Sequence, residues 1–215
     1  MKTSTNLFAS IALTMLGFSN PVPGAELEDA GHMHAHHHMM VEQTKHQIAD
    51  YKLPQIQLVR ADGKNVSLIE ELNDGRPLVL NFMYTTCTEI CPLTSQTFAE
   101  LQDKLGIERD RVHMVSISID PEQDTPEVLA KYARKFGAGP QWQFYTGTID
   151  ASIAAQRAFE VYRGDKMEHN PVTFIRAAPG KPWLRIDGFA KSDELLRSLG
   201  DMDVFNEAKR PEIAY

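Results

Sequence analysis

Apolar and polar residues alternate along this chain with two different periods. Pro77-Leu-Val-Leu-Asn-Phe-Met83 and Val112-His-Met-Val-Ser-Ile-Ser-Ile119 are short, nearly continuous apolar runs, the second rich in β-branched residues, and both read as buried strands. After the first run, Leu93, Phe98, Leu101 and Leu105 recur with helical spacing, which predicts a helix over about 92–105 with Pro92 at its first position. After the second, Val128, Leu129, Tyr132 and Phe136 predict another helix. It opens at Pro126 behind a cap at Asp124 or Thr125 and stops at Gly137-Ala-Gly-Pro140. Trp142-Gln-Phe-Tyr145 then reads as a strand, and Ile149–Phe159 as a helix capped by Thr148 or Asp150. Val172–Ile175 and Trp183–Ile186 form a hairpin across the turn Ala178-Pro-Gly-Lys-Pro182, and a last helix runs from Ser192 or Asp193 through Leu199. Upstream, Ile56–Leu58 and Val66–Leu68 alternate on either side of Asp62-Gly63, another hairpin signal.

Strands alternating with helices imply parallel pairing, and the closing hairpin adds an antiparallel edge. The fold expected is α/β: a thioredoxin-like sandwich with an added N-terminal β-hairpin and an inserted helix. His113 sits inside a strand pattern and reads as a strand residue, packed or turned to solvent, rather than a ligand.

The ends of the chain do not fit these patterns. Met1-Lys2 gives a positive start, Leu7–Phe18 is apolar but too short to span a bilayer, and Pro21-Val-Pro-Gly-Ala25 offers small residues for cleavage. Residues 1–25 therefore read as an export signal, with no cysteine behind it to carry a lipid. Residues 26–45 read as a disordered tail, 46–203 as the folded domain and 204–215 as a polar C-terminal tail. Export places the domain in the periplasm, an oxidising compartment. Within the tail, His32, Met33, His34, His36, His37, His38, Met39 and Met40 make a biased segment. Imidazole and thioether both suit copper, so these residues are weak auxiliary copper ligands or simply a solvated tail.

Composition narrows the function. A hydrophobic content of 42% supports a packed core, and a formal net charge of −7 argues against nucleic acid and against an anionic membrane surface. The chain has two cysteines, Cys87 and Cys91, four apart where the first strand hands over to the first helix. A helix N-terminus favours thiolate over thiol, and residues i and i+4 can turn to one side, so the pair can close a disulfide or grip a soft metal ion. The bland alternative is two packed thiols. A thiol peroxidase pattern would need Pro at position 80 and Thr at 84, where the chain has Leu80 and Tyr84. Structural zinc would need four ligands, one more than the chain offers here. In a thioredoxin-like sheet the loop entering the Val172 strand lies beside the cysteine turn, which makes His169 the third candidate ligand. Two thiolates and an imidazole suit Cu(I) through the sulfurs and Cu(II) through the nitrogen. By the same analogy Pro171 is expected to follow a cis bond.

Asn81-Phe-Met-Tyr-Thr-Thr-Cys-Thr-Glu-Ile-Cys-Pro92, Val115-Ser-Ile-Ser-Ile-Asp-Pro-Glu-Gln-Asp-Thr-Pro126 and the late His169 together resemble the Sco/SenC family over about residues 50–200. That family consists of copper chaperones for the binuclear copper centre of cytochrome c oxidase. The resemblance implies that Cys87 and Cys91 are a redox-active, copper-binding pair and that His169 is a copper ligand. It implies copper as the cargo and the copper-bearing oxidase subunit as partner, alongside other periplasmic copper chaperones or thiol reductases. The Asp120–Pro126 loop is a family signature with a structural or partner-binding role. Thr88 stands where many members carry proline, and Pro171 where a typical member is aliphatic. Both leave room for a thiol–disulfide oxidoreductase acting on partner disulfides without a metal.

Overall fold

A computed structural model describes residues 43–202. Among them are eight strands: β1 (Lys45–Ala49), β2 (Gln57–Arg60), β3 (Asn65–Ser67), β4 (Leu78–Met83), β5 (His113–Ser118), β6 (Trp142–Thr146), β7 (Val172–Arg176) and β8 (Trp183–Asp187). The helices are α1 (Leu68–Leu72), α2 (Ile90–Leu105), α3 (Pro126–Lys135), α4 (Ile149–Ala158) and α5 (Ser192–Asp201). The strands make one sheet in the order β1-β8-β7-β4-β5-β6-β2-β3.

β4 pairs parallel with β5 and β5 parallel with β6, because α2 and α3 carry the chain back between them. β7 runs antiparallel to β4 on the other side, and β8 antiparallel to β7. Every residue of β4 is buried, and its side chains divide between two cores. Val79 and Met83 pack with Phe98 and Leu101 of α2, Leu129 of α3 and Leu195 of α5. Leu78, Leu80 and Phe82 pack with Leu68 and Leu72 of α1 and with Ala151 and Ala155 of α4. Helices thus cover both faces of the sheet, the thioredoxin-like sandwich expected. The added hairpin is β2–β3, which extends the sheet antiparallel to β6. Its turn needs Gly63, whose φ of 84° is costly for any residue with a Cβ. Thr125 and Thr148 cap α3 and α4 through their hydroxyls.

Four expectations need correction. The tail does not run to residue 45: β1 begins at Lys45 and pairs with β8 along its whole length. Its residues are largely exposed, as befits a polar edge strand, so no apolar rhythm announces it. Leu68 opens α1 instead of continuing β3, because Ser67 caps a helical turn that buries Leu68 and Leu72. α2 starts at Ile90, so Pro92 is its third residue rather than its first. The bond before Pro171 is trans, the ordinary state of an X–Pro bond, and the Pro171 carbonyl accepts from Gly188 N at 2.9 Å. His113 is packed, with Nε2 3.4 Å from the Tyr145 hydroxyl and Nδ1 3.0 Å from Asp74. Among the described residues no helix is long and apolar enough to cross a membrane. The expected signal, the His32–Met40 segment and the 204–215 tail lie outside the described residues.

Candidate functional site

The turn from β4 into α2 is built around sulfur. Glu89 occupies the position before α2 but makes no capping bond with its side chain. The first-turn amides of a helix need acceptors from outside it. Cys91 N donates to Cys87 Sγ at 3.3 Å, so a sulfur takes the place of the usual capping oxygen. The next residue, Pro92, has no amide to satisfy. One turn deeper, Cys91 Sγ accepts from Tyr84 N at 3.5 Å. Cys87 Sγ is thus bonded to the amide of Cys91 itself, and Cys91 Sγ to the amide of Tyr84, three residues before Cys87.

Their environments differ. Cys87 is partly exposed and Cys91 fully buried. Burial works against a thiolate at Cys87, but the amides of Cys91 and Glu89, the Cys91 thiol and the Tyr84 hydroxyl outweigh it and hold Cys87 below the ordinary thiol range. Burial pushes Cys91 far up; the Tyr84 amide opposes this, while Cys87 and the Asp124 charge add to it. The pair's negative charge thus belongs at Cys87. Tyr84 itself is raised to about 12, by burial and then by Cys87, so it remains a donor.

The segment carrying His169 reaches the same end of the sheet, as expected of the loop before β7. Asn170 and Pro171 share a groove with Ile90, which lies between the two cysteines. Tyr84 Oη lies 3.7 Å from Met167 Sδ, and Lys166 Nζ bonds Asp120 Oδ2 at 2.5 Å. The His169 ring is buried, with Nε2 3.0 Å from the Phe82 carbonyl oxygen. A carbonyl only accepts, so Nε2 carries the proton and Nδ1 keeps its lone pair. Burial lowers the ring's pKa, against the pull of that carbonyl, and keeps the imidazole neutral. The ring faces the cleft lined by Asp120, Lys166 and Arg163. Among the described residues, no three His, Cys, Asp or Glu side chains stand together as a metal cage. The donor chemistry nevertheless fits a soft ion: two sulfurs at a helix start, and an imidazole whose free nitrogen is set by a backbone bond, the usual second partner of a ligating histidine.

Sequence pattern does not single out Thr85, Lys166 or Met167. It offers Asp124 as one of two alternative helix caps inside the Asp120–Pro126 signature, yet the side chain is fully buried and bonds Thr85, 39 positions away.

Residues 44–201 match the SCO1/SenC family model. A SCO1 protein homolog of Bacillus subtilis is 35% identical over 105 residues, which is 48% of this chain and 53% of that protein. The chain spans about half the length of the curated relatives it matches. The structure of BsSco, described as a member of the Sco family of cytochrome c oxidase assembly proteins with a disulfide switch, is 26% identical. It has a TM-score of 0.60 and covers 74% of this chain and 97% of its own. Arabidopsis thaliana ScoI with copper bound is 26% identical with a TM-score of 0.57, covering 71% and 96%. This chain belongs to the SCO1/SenC family.

Proposed function

We propose that this protein is an exported copper carrier that takes one copper ion on Cys87, Cys91 and His169 and passes it to the copper-bearing subunit of cytochrome c oxidase. The observation that carries the reading is the paired sulfurs at the start of α2, with the thiolate assigned to Cys87. It is supported by the copper bound to Arabidopsis ScoI and by the oxidase-assembly role named for BsSco. The partly exposed Cys87 is the sulfur from which a partner's thiolate can take the ion by ligand exchange. In this reading His169 contributes Nδ1 while its Nε2–H stays on the Phe82 carbonyl, and the loop between residues 165 and 171 must shift to carry the ring from the cleft it lines to the sulfurs. The export signal at residues 1–25 delivers the domain to the periplasm.

The test is a titration of the reduced protein with Cu(II), followed by absorption. A thiolate-to-copper charge-transfer band that saturates at one ion per tight site is the expected result; a titration without that band removes the carrier reading. The same titration on a chain lacking residues 32–40 should lose its weak additional copper while keeping the tight band. Unchanged stoichiometry would reduce that segment to a spacer.

The asymmetry of the two thiols favours a second, compatible activity. A partly exposed thiolate beside a buried thiol is the arrangement of a thiol–disulfide reductase, in which Cys87 attacks a partner disulfide and Cys91 resolves the mixed disulfide. Such a reductase would prepare the oxidase thiols for copper.

A further inference from the structure

The Asp120–Pro126 loop contains a carboxylate with an unusual setting. Asp124 is 0% exposed. Its oxygens accept from Thr85 N at 3.2 Å each, Thr85 Oγ1 donates to Oδ1 at 2.5 Å, and Ser118 Oγ donates to Oδ2 at 2.5 Å. None of these donors is a cation. Burying a carboxylate on neutral donors alone, with Lys166 acting on it only from a distance, is expensive, and an apolar side chain of similar size would serve packing alone at lower cost. What the carboxylate does is tie three segments together: the end of β5 at Ser118, its own loop, and the turn that carries the dithiol. Thr85 sits inside the turn from Tyr84 to Cys87. Tyr84 N donates to Cys91 Sγ at 3.5 Å, and Cys87 N donates to the Tyr84 carbonyl at 3.3 Å, closing the backbone around Thr85.

We propose that Asp124 is the positioning residue of the dithiol, holding Cys87 against the first turn of α2 through its bonds to Thr85. The side chain touches neither sulfur in this role. It fixes the backbone from which both sulfurs are presented, and so keeps the two thiols at high effective concentration toward each other. This inference rests on the dithiol half of the proposed function and not on copper.

The experiment equilibrates the full chain with glutathione and its disulfide at fixed pH. Cys87 and Cys91 give up two protons and two electrons to form one S–S bond, while one glutathione disulfide is reduced to two thiols. The expected result for Asp124→Asn is an equilibrium constant for closing the protein disulfide about tenfold lower, or about 30 mV on a two-electron couple. Thr85→Val should move it in the same direction, and the double variant no further than the larger single change, because the two residues act through each other. A constant within twofold of the parent in a folded Asp124→Asn chain overturns the proposal, as do effects that simply add. If Asp124→Asn does not fold, Thr85→Val and Thr85→Ser decide the matter. A shift for valine that serine restores supports the role, and no shift in either rejects it. A failed copper titration beside a shifted thiol equilibrium would sink the carrier reading and leave this one standing.

Discussion

Cys87→Ser is expected to abolish both tight copper binding and every mixed disulfide, whereas Cys91→Ser should lose the copper but accumulate the mixed disulfide. The difference follows from the two sulfur environments. Cys87 is partly exposed, and its thiolate accepts from the first turn of α2. Cys91 is buried, with its thiol pushed far above the ordinary range, first by burial and then by Cys87 and Asp124. A partner disulfide therefore meets Cys87 first, and Cys91 serves to release it. Mass spectrometry after exposure to glutathione disulfide distinguishes the variants: an adduct on Cys91→Ser and none on Cys87→Ser. Competition against a chromophoric Cu(I) chelator should show affinity falling at least about a hundredfold in both, about 2.7 kcal/mol. The pH dependence has a definite sign. A lowered thiol keeps its charge as pH falls until its own pKa is passed, so alkylation of Cys87 should have its midpoint below that of a free cysteine measured alongside it. An adduct that forms at Cys91 in the Cys87→Ser chain would reverse the assigned polarity.

Much of this fold is written in local pattern. β4 and β5 are buried on both faces and read as continuous apolar runs, and α3 carries its cap and its proline where the sequence places them. β1 escapes such reading because its residues face solvent, and its strand state comes from pairing with β8, more than 130 positions away. α1 escapes because five residues are too few to show a period. The site divides the same way. The cysteines announce themselves by number and position, and fold topology brings the His169 segment to their end of the sheet. The direction of the ring does not follow from topology. It is set by burial and by the bond from Nε2 to the Phe82 carbonyl, 87 positions away, which no local pattern announces. Asp124 is hidden for the same reason, since a capping residue and a buried clamp look alike until the other side of the bond, Thr85, is located.

His169→Ala is expected to cut Cu(II) affinity by more than about a hundredfold, beyond what loss of an outer partner alone would cost, while the Cys87–Cys91 disulfide still forms. Copper(II) prefers nitrogen donors to a pair of thiolates alone, so the oxidised ion should suffer more than Cu(I), which the sulfurs hold by themselves. The substitution also removes one hydrogen bond, from Nε2 to the Phe82 carbonyl, and leaves a small buried gap. Its stability cost should be about 1–3 kcal/mol, enough to shift a melting curve without unfolding the domain. His169→Asn keeps a polar group near that carbonyl but has no imidazole lone pair. It should therefore recover much of the stability and none of the Cu(II) affinity. That separation matters because a ring buried at 6% exposure could matter for packing alone. If asparagine restores both stability and Cu(II) affinity, the ring is a packed core histidine and copper rests on the two sulfurs. If it restores only stability, the lone pair on Nδ1 is the third donor, and the carbonyl of Phe82 is what keeps that nitrogen free.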